Sequence, residues 1–296
     1  MSQASDMVRT EFKKGDDIRD AGLTTPEDII RYDDIVYGEE PKWQSLDVYR
    51  PKNAEGKKLP IIVSVHGGGW VYGDKERYQF YCMNLAQRGF VVVNFTYRLA
   101  PEYKFPASLE DTNSVFTWIL KHSEEYGFDT GHIFGVGDSA GAHNLGLYAG
   151  ICTNPQYAAE YGFKVPEGFV PAAVGLHCGA YRIELGAESN TDDLTQRLME
   201  DLLPEKGTEK ELELIDVTRH ITEKYPPTFF MTCPGDFLKN QALLLAEKLA
   251  ENNVPFMYRM YGSAQEPLSH VFHCNIKSKA ARLCNDEVCD FFKKFL

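Results

Sequence analysis

Short, nearly continuous apolar runs alternate with segments whose apolar positions have helical spacing along most of the chain. Apolar runs of this kind are typical of parallel strands that helices bury on both faces. The runs predict strands at residues 59–65, 90–95, 132–136, 172–176, 228–232 and 256–260. The helical spacing predicts helices at residues 78–88, 108–122, 240–252 and 277–295. The alternation therefore predicts an α/β fold, a mostly parallel sheet with helices on both faces, in which ligands bind at the carboxyl ends of the strands.

The N-terminal part of the chain does not follow this rhythm. Residues 1–40 are polar and acidic, and we interpret them as an N-terminal cap segment or as a mobile extension. Within them, Thr25 and Pro26 predict the start of a helix, with the threonine as N-cap and the proline at the first helical position. Residues 32–49 alternate between apolar and polar positions and predict antiparallel strands at one edge of the sheet.

A second interruption lies between residues 180 and 222, which are charged and helix-prone. We interpret this segment as an insertion that covers the ligand site. The predicted domain organisation follows from the two interruptions. A core of residues 41–179 and 223–296 carries a cap made of residues 1–40 and 180–222.

Charge and composition narrow the class of partner. The chain carries 31 basic and 43 acidic side chains, a net charge of −12, which argues against nucleic acid or an anionic membrane surface as the main partner. No apolar run approaches the length of a membrane span, and no signal peptide is visible. The 7 cysteines are scattered without a C-x-x-C pair, as reduced core thiols are, so we expect a cytoplasmic protein.

The segment Gly137–Gly141 reads G-D-S-A-G and connects a predicted strand to a run of small, helix-compatible residues. A strand, a tight turn and a helix make this pattern a nucleophile elbow, in which the serine is exposed at the end of the sheet. The glycines on either side of Ser139 leave room for so sharp a turn. An ordinary glycine-rich turn has the same five letters, so the interpretation depends on the rest of the chain.

A nucleophilic serine needs a base to take its proton and an acid to orient that base. In a fold with a nucleophile elbow these residues follow one another in the order serine, acid, histidine. Asp236 comes directly after the predicted strand 228–232 and is the candidate acid. A turn aspartate that begins a helix is the other interpretation of Asp236, and Glu266 is the alternative acid.

Two histidines, His270 and His273, are the candidates for the base, because no other histidine follows Asp236. Both lie after the last predicted strand, where the loop that carries the base is expected. The alternative interpretation is a metal site that the two histidines form with Cys274.

The segment His66–Trp70 follows a buried strand and contains three consecutive glycines. Glycines let the backbone approach a substrate closely and direct N–H groups at one point, as an oxyanion hole requires. We favour Gly68 and Gly69 as the donors, with the N–H of Ala140 as the third.

Together these motifs resemble the hormone-sensitive-lipase-like branch of the α/β-hydrolases, and bacterial carboxylesterases in particular. The resemblance extends from residue 61 to residue 273, in order and at compatible spacing. It is carried by His66–Trp70, Tyr97–Glu102, Phe105–Ala107, Gly137–Gly141, Asp236–Leu238 and His270–Phe272.

The resemblance implies an α/β-hydrolase fold with a helical cap. It implies a serine carboxylesterase that hydrolyses short-chain, acetyl-type esters through an acyl-enzyme and needs neither a metal nor a cofactor. In the family the histidine of an H-x-F motif is the base, which favours His270 over His273. The implied catalytic residues are Ser139, Asp236 and His270, and the implied oxyanion donors are Gly68, Gly69 and Ala140. A small-molecule ester is the expected substrate, and a homodimer is expected from the resemblance alone.

Three departures from the family pattern keep alternatives open. Gly141–His143 reads Gly-Ala-His where the family often has a second glycine, and formamidase-like relatives share this sequence, so an amidase or formamidase is the alternative enzyme. Val271 replaces the usual glycine of the H-x-F motif, and residues 217–220 lack the usual Ser-Pro. A non-catalytic small-molecule receptor is a further alternative, although such receptors tend to lose the histidine.

Overall fold

The computed structural model describes residues 2–185 and 193–296. Its strands are β1 (Ile29–Val36), β2 (Ser45–Pro51), β3 (Leu59–Val65), β4 (Val91–Phe95), β5 (Phe128–Asp138), β6 (Ala173–His177), β7 (Thr228–Thr232) and β8 (Phe256–Met260). Its helices are α1 (Gln3–Asp20), α2 (Lys75–Ala86), α3 (Ala107–Lys121), α4 (Ser123–Tyr126), α5 (Ala140–Thr153), α6 (Pro155–Ala158), α7 (Asp193–Leu202), α8 (Glu209–Leu214), α9 (Gln241–Glu251) and α10 (Lys279–Phe292).

The described strands form one sheet in the order β1-β2-β4-β3-β5-β6-β7-β8. Pairing is antiparallel between β1, β2 and β4, and parallel from β4 through β8. The predicted α/β fold with a mostly parallel sheet is therefore confirmed, and so are the antiparallel strands at one edge. No helix of the described ranges combines the length and the apolar character that crossing a membrane requires.

Alternate side chains of the central strands enter two separate cores, one on each face of the sheet. In β3, for example, Ile61 and Val63 belong to the core under α3, α5 and α9, whereas Ile62 belongs to the core under α2 and α10. Strands buried on both faces have few polar positions, which is why the apolar runs predicted them so closely. The carboxyl ends of these strands meet at one edge, where the loops that follow β3, β5 and β7 come together.

The prediction that a helix starts at Thr25 is wrong. Pro26 accepts a hydrogen bond from the N–H of Ile29 in a turn, and Ile29 begins strand β1, where it pairs with Pro51. Ile29 is buried against the sheet, so tertiary burial outweighs the local capping signal. The helix of this segment is α1, which ends before Gly22 at a positive φ of 79°.

Helix α1 is fixed to the body of the protein mainly by polar contacts. Arg9 forms two hydrogen bonds with the carboxylate of Glu102, at 2.9 and 2.6 Å, and its Nε donates to the carbonyl oxygen of Val71 at 2.8 Å. Ser5 donates to Asp201 of α7, so α1 also contacts the insertion. The insertion of residues 180–222 contains α7 and α8, while its residues 186–192 lie outside the described ranges.

Candidate active site

Ser139 lies at the turn between β5 and α5, at the carboxyl end of the central strand. Its backbone has φ 50° and ψ −118°. Residues other than glycine rarely adopt this backbone conformation, so the surrounding structure must hold it in place. A Cβ on Gly141 would lie 2.0 Å from the carbonyl oxygen of Val65, and one on Gly137 would lie 2.5 Å from the carbonyl oxygen of Gly141. The two glycines are therefore required by close backbone contacts, as the elbow motif predicts.

Asp236 and His270 form an ion-pair geometry beside this turn. The Nδ1 atom of His270 lies 2.7 Å from Oδ1 of Asp236. The Thr232 hydroxyl donates to Oδ2 of Asp236 at 2.6 Å, and the N–H of Leu238 donates to Oδ1 at 2.8 Å. Burial alone would raise the pKa of Asp236, but the hydrogen bond and charge of His270, with these two further donors, hold the pKa below its usual range. Asp236 is thus suited to remain an anion that orients the imidazole.

The loops that carry the acid and the histidine are joined through their backbones. Gly235 forms an isolated parallel bridge with Ser269, and its N–H donates to the carbonyl oxygen of Leu268 at 3.0 Å. The Cys233 thiol donates to the same carbonyl at 3.1 Å. These contacts explain how a residue after β7 and a residue after β8 come to share one hydrogen bond.

Ser139 and His270 line the same cavity of about 430 Å³. No hydrogen bond joins their side chains in the ranges that the structure describes; hydrogen bonds between catalytic groups often tighten only when a substrate binds. The elbow therefore presents its hydroxyl to the cavity in which the imidazole lies, with the aspartate behind the imidazole.

The glycine segment after β3 has backbone N–H groups available beside Ser139. The N–H of Gly67 is taken by the Tyr78 hydroxyl at 2.9 Å. Within residues 2–185 and 193–296, no acceptor receives a hydrogen bond from the N–H of Gly68, Gly69 or Ala140. Gly68 and Gly69 have positive φ values of 117° and 61°, which a chain of L-residues avoids. This segment can supply dipoles to a developing negative charge without further rearrangement.

A second cavity, of about 570 Å³, lies on the other side of Ser139. Among the described residues, three line both cavities: Ser139, Phe12 and Phe237. The larger cavity is bounded by Val8 of α1 and Leu198 of α7. The two phenylalanines were not predicted as site residues. Phe237 follows the candidate acid directly, and this position was the one available signal for it.

The remaining predicted residues lie elsewhere. His273 is fully buried behind the elbow, with its ring against those of Tyr81 and His177. Potential ligand atoms of His270 lie close to those of Asp236 and Cys178. Those of His273 lie close to Asp138 and Cys274 instead. Among the described residues, the two histidines and Cys274 therefore do not form one metal site. Glu266 is exposed in the loop after β8, and in the described ranges no hydrogen bond or ion pair joins its side chain to His270.

Asp138, the residue before the serine, is a second buried carboxylate. Burial raises its pKa to about 6, and the hydrogen bond from the Tyr78 hydroxyl at 2.8 Å opposes this increase. Its side chain also borders the smaller cavity. The sequence placed this residue in the motif but did not indicate that its carboxyl group would titrate near neutral pH.

A mostly parallel sheet with an elbow serine after its central strand defines the chain as an α/β-hydrolase. The match to a family model and to named esterases confirms the resemblance to the hormone-sensitive-lipase-like branch. The chain belongs to the BD-FAE family, whose model matches residues 46–249.

Comparisons with individual proteins agree with the family. Esterase LipC of Mycobacterium tuberculosis is 35% identical over 148 residues, which are 48% of this chain and 35% of LipC. The match to this chain thus spans about a third of the length of LipC. Versiconal hemiacetal acetate esterase of Dothistroma septosporum is 27% identical over 72% of this chain and 67% of its own length. Among solved structures, esterase B from Lactobacillus rhamnosis superposes with a TM-score of 0.88 at 24% identity, covering 99% of this chain and 97% of that one, which supports the fold.

Proposed function

We propose that this protein is a serine carboxylesterase that hydrolyses short-chain, acetyl-type esters through an acyl-enzyme. The observation that carries the proposal is the 2.7 Å contact between His270 and the buried Asp236, with His270 in the same cavity as Ser139. The names of the matched relatives, esterase LipC and versiconal hemiacetal acetate esterase, support an ester as the substrate class. The acetyl preference comes from the resemblance of the motifs.

The proposed mechanism uses side chains and backbone groups of this chain together with one water molecule. The Ser139 hydroxyl attacks the ester carbonyl carbon while His270 takes its proton, and Asp236 stabilises the imidazolium. The N–H groups of Gly68, Gly69 and Ala140 donate to the oxyanion of the tetrahedral intermediate. His270 then returns the proton to the leaving alcohol. His270 then takes a proton from a water molecule while the water oxygen attacks the acyl carbon. The bond between that carbon and the Ser139 oxygen breaks as His270 returns the proton to the serine, and the carboxylic acid is released.

We further propose that α1 and residues 180–222 form the cap that the sequence predicts over the site. Val8 and Phe12 of α1 and Leu198 of α7 line the larger cavity, which supports this role. Because β1 belongs to the sheet, α1 is the part of residues 1–40 that acts as cap in this proposal.

The cellular setting is also a proposal. All 7 cysteines are free thiols, which supports a reducing compartment such as the cytoplasm. A small-molecule ester is the proposed partner. A homodimer remains a prediction that sedimentation analysis can test.

Ser139→Ala tests the proposal. We expect the variant to lose about 10⁴-fold or more in kcat on p-nitrophenyl acetate and to resist labelling by a fluorophosphonate probe that reacts with the wild type. Matched acetate, butyrate and octanoate esters measure the acyl preference, and a matched formyl amide measures the amidase alternative. Unchanged turnover by Ser139→Ala would refute the serine mechanism. A higher kcat/KM on the amide would favour the formamidase interpretation.

A further inference from the structure

The ring of Phe237 lies against the imidazole of His270. The two ring centroids are 4.2 Å apart, and the ring planes are inclined by 40°. Phe237 is nevertheless 73% exposed, more than any other phenylalanine in the described ranges. A ring that is so little buried gains little from the hydrophobic effect in this place. The contact with His270 and the backbone that carries the ring therefore define its position more than burial does.

That backbone is held by the same carboxylate oxygen that holds the histidine. Oδ1 of Asp236 accepts hydrogen bonds from the N–H of Leu238 at 2.8 Å and from Nδ1 of His270 at 2.7 Å. The first bond closes a side-chain turn around Phe237, which is a common use of aspartate. One carboxylate oxygen thus holds both the imidazole of His270 and the backbone turn that carries Phe237.

We propose that Phe237 is a positioning residue that holds the imidazole of His270 toward Ser139. A histidine attached through Nδ1 alone can still tilt about that hydrogen bond, and a ring packed on its face limits the tilt. The face of an aromatic ring also attracts a cation, so it favours the imidazolium that forms when His270 takes the serine proton. The inference rests on the proposed function, since it requires His270 as the base.

The location of Phe237 agrees with this role. Phe237 lines both cavities together with Ser139, so it borders the space beside the serine where the proposed reaction takes place. Small errors in the placement of a catalytic group are costly, and a displacement of 1 Å can cost about 100-fold in rate. A side chain that prevents such a displacement should therefore act on kcat rather than on substrate binding.

Three substitutions and one control test the proposal. Phe237→Ala and Phe237→Leu remove the ring, whereas Phe237→Tyr keeps it. Leu243→Ala is the matched control, because Leu243 is 65% exposed on α9 and lines neither cavity. The measurements are kcat and KM on p-nitrophenyl acetate, the rate at which a fluorophosphonate labels Ser139, and the melting temperature.

We expect Phe237→Ala and Phe237→Leu to lower kcat and the labelling rate by roughly 10- to 100-fold, with KM within about twofold of the wild type. Phe237→Tyr should restore both rates, and Leu243→Ala should change neither. The melting temperatures of all four variants should stay close to that of the wild type, because both exposed side chains contribute little to the core.

Wild-type kcat and labelling in Phe237→Ala and Phe237→Leu would overturn the inference while leaving the proposed function intact. A change confined to KM would also overturn it, because the ring would then contact substrate without positioning His270. A wild type that neither hydrolyses the ester nor reacts with the probe would overturn the proposed function, and this inference with it. Should Phe237→Ala melt early, Phe237→Leu and Phe237→Tyr decide the question.

Discussion

The indole N–H of Trp70 donates a hydrogen bond to Nδ1 of His143, over 3.1 Å. An indole nitrogen can only donate, so Nδ1 of the histidine is the acceptor and its proton lies on Nε2. Nε2 in turn lies 2.8 Å from the carbonyl oxygen of Ile215. Burial lowers the pKa of His143 to about 4, which keeps the ring neutral. A neutral histidine thus connects the glycine segment after β3, the helix behind Ser139 and the end of the insertion.

Replacing His143 by alanine should therefore reduce both stability and turnover. The change removes a fully buried ring and leaves the Trp70 N–H and the Ile215 carbonyl without partners, which together cost about 3 kcal/mol or more. We expect kcat to fall as well, because Trp70 is joined to the candidate oxyanion donors. Urea denaturation and ester hydrolysis measure the two effects. His143→Gln is the control, since its amide can replace both hydrogen bonds, and equal stability of wild type and His143→Ala would contradict the prediction.

The lowered pKa of His143 predicts that the protein loses stability as the pH falls. The pKa of His143 is about 4 in the folded protein against 6.5 as its ordinary value, so the unfolded chain takes up a proton first as the pH falls. Between pH 7.5 and pH 5 this protonation favours unfolding by about 2 kcal/mol. His143→Gln lacks the titrating group. The difference in unfolding free energy between wild type and His143→Gln should therefore move by about 2 kcal/mol against the wild type over this range. A pH-independent difference would refute the assignment of a neutral ring.

Adjacent glycines of the oxyanion segment should respond differently to alanine. A Cβ on Gly68 would lie 2.1 Å from the carbonyl oxygen of Tyr72, a backbone atom that cannot move aside easily. A Cβ on Gly69 has no neighbour closer than Leu198 Cδ1 at 3.6 Å. We expect Gly68→Ala to lose at least about 100-fold in kcat, comparable to the removal of an oxyanion donor.

Gly69→Ala should fold and lose about 1 kcal/mol of stability, the cost of a left-handed residue with a side chain. Its methyl group faces the larger cavity, so KM should change more than kcat. Kinetics and thermal unfolding of the two variants side by side test the contrast. Equal effects of both substitutions would show that the conformation alone, and not the contact with Tyr72, limits this segment.

Asp236→Asn should be far more damaging than Glu266→Gln. An amide at position 236 would favour the wrong tautomer of His270, and kcat should fall by roughly 10⁴-fold. Glu266 is exposed, and in the described ranges the acid that contacts His270 is Asp236, so Glu266→Gln should hydrolyse p-nitrophenyl acetate at the wild-type rate. The opposite ranking of the two variants would identify Glu266 as the acid.

The sequence could predict the central parallel strands because these are buried on both faces, whereas the edge strand β8 is only partly buried and was predicted from its short apolar run. Residues 59–65, 228–232 and 256–260 are strands in the structure with the predicted bounds. The helix start predicted at Thr25 was wrong, because burial of the nearby Ile29 in the sheet outweighs the local capping sequence. Helix α1 was not predicted, because only Ala4, Ser5 and Val8 of it are buried and its apolar face is correspondingly weak.

In the candidate site, too, the residues of continuous motifs could be predicted, whereas residues that only the tertiary structure brings together could not. The elbow and the glycine segment are continuous motifs with backbone requirements, so they could be found in the sequence once the acid and the histidine followed them in the required order. Phe12 and Phe237 line both cavities only because α1 and the loop after β7 lie on either side of the elbow. Their proximity depends on the tertiary arrangement of distant segments, which periodicity along the chain does not record.

The two hydrogen bonds between Arg9 and Glu102 have a consequence for the effect of ionic strength. Both side chains are partly exposed, at 24% and 36%, so dissolved salt weakens their attraction. The candidate oxyanion donors are uncharged N–H groups, on which salt acts little. In the proposed function, with α1 as part of the cap, counterions would therefore weaken the attachment of α1 beside the cavities while leaving the chemical step proposed for Ser139 largely unaffected.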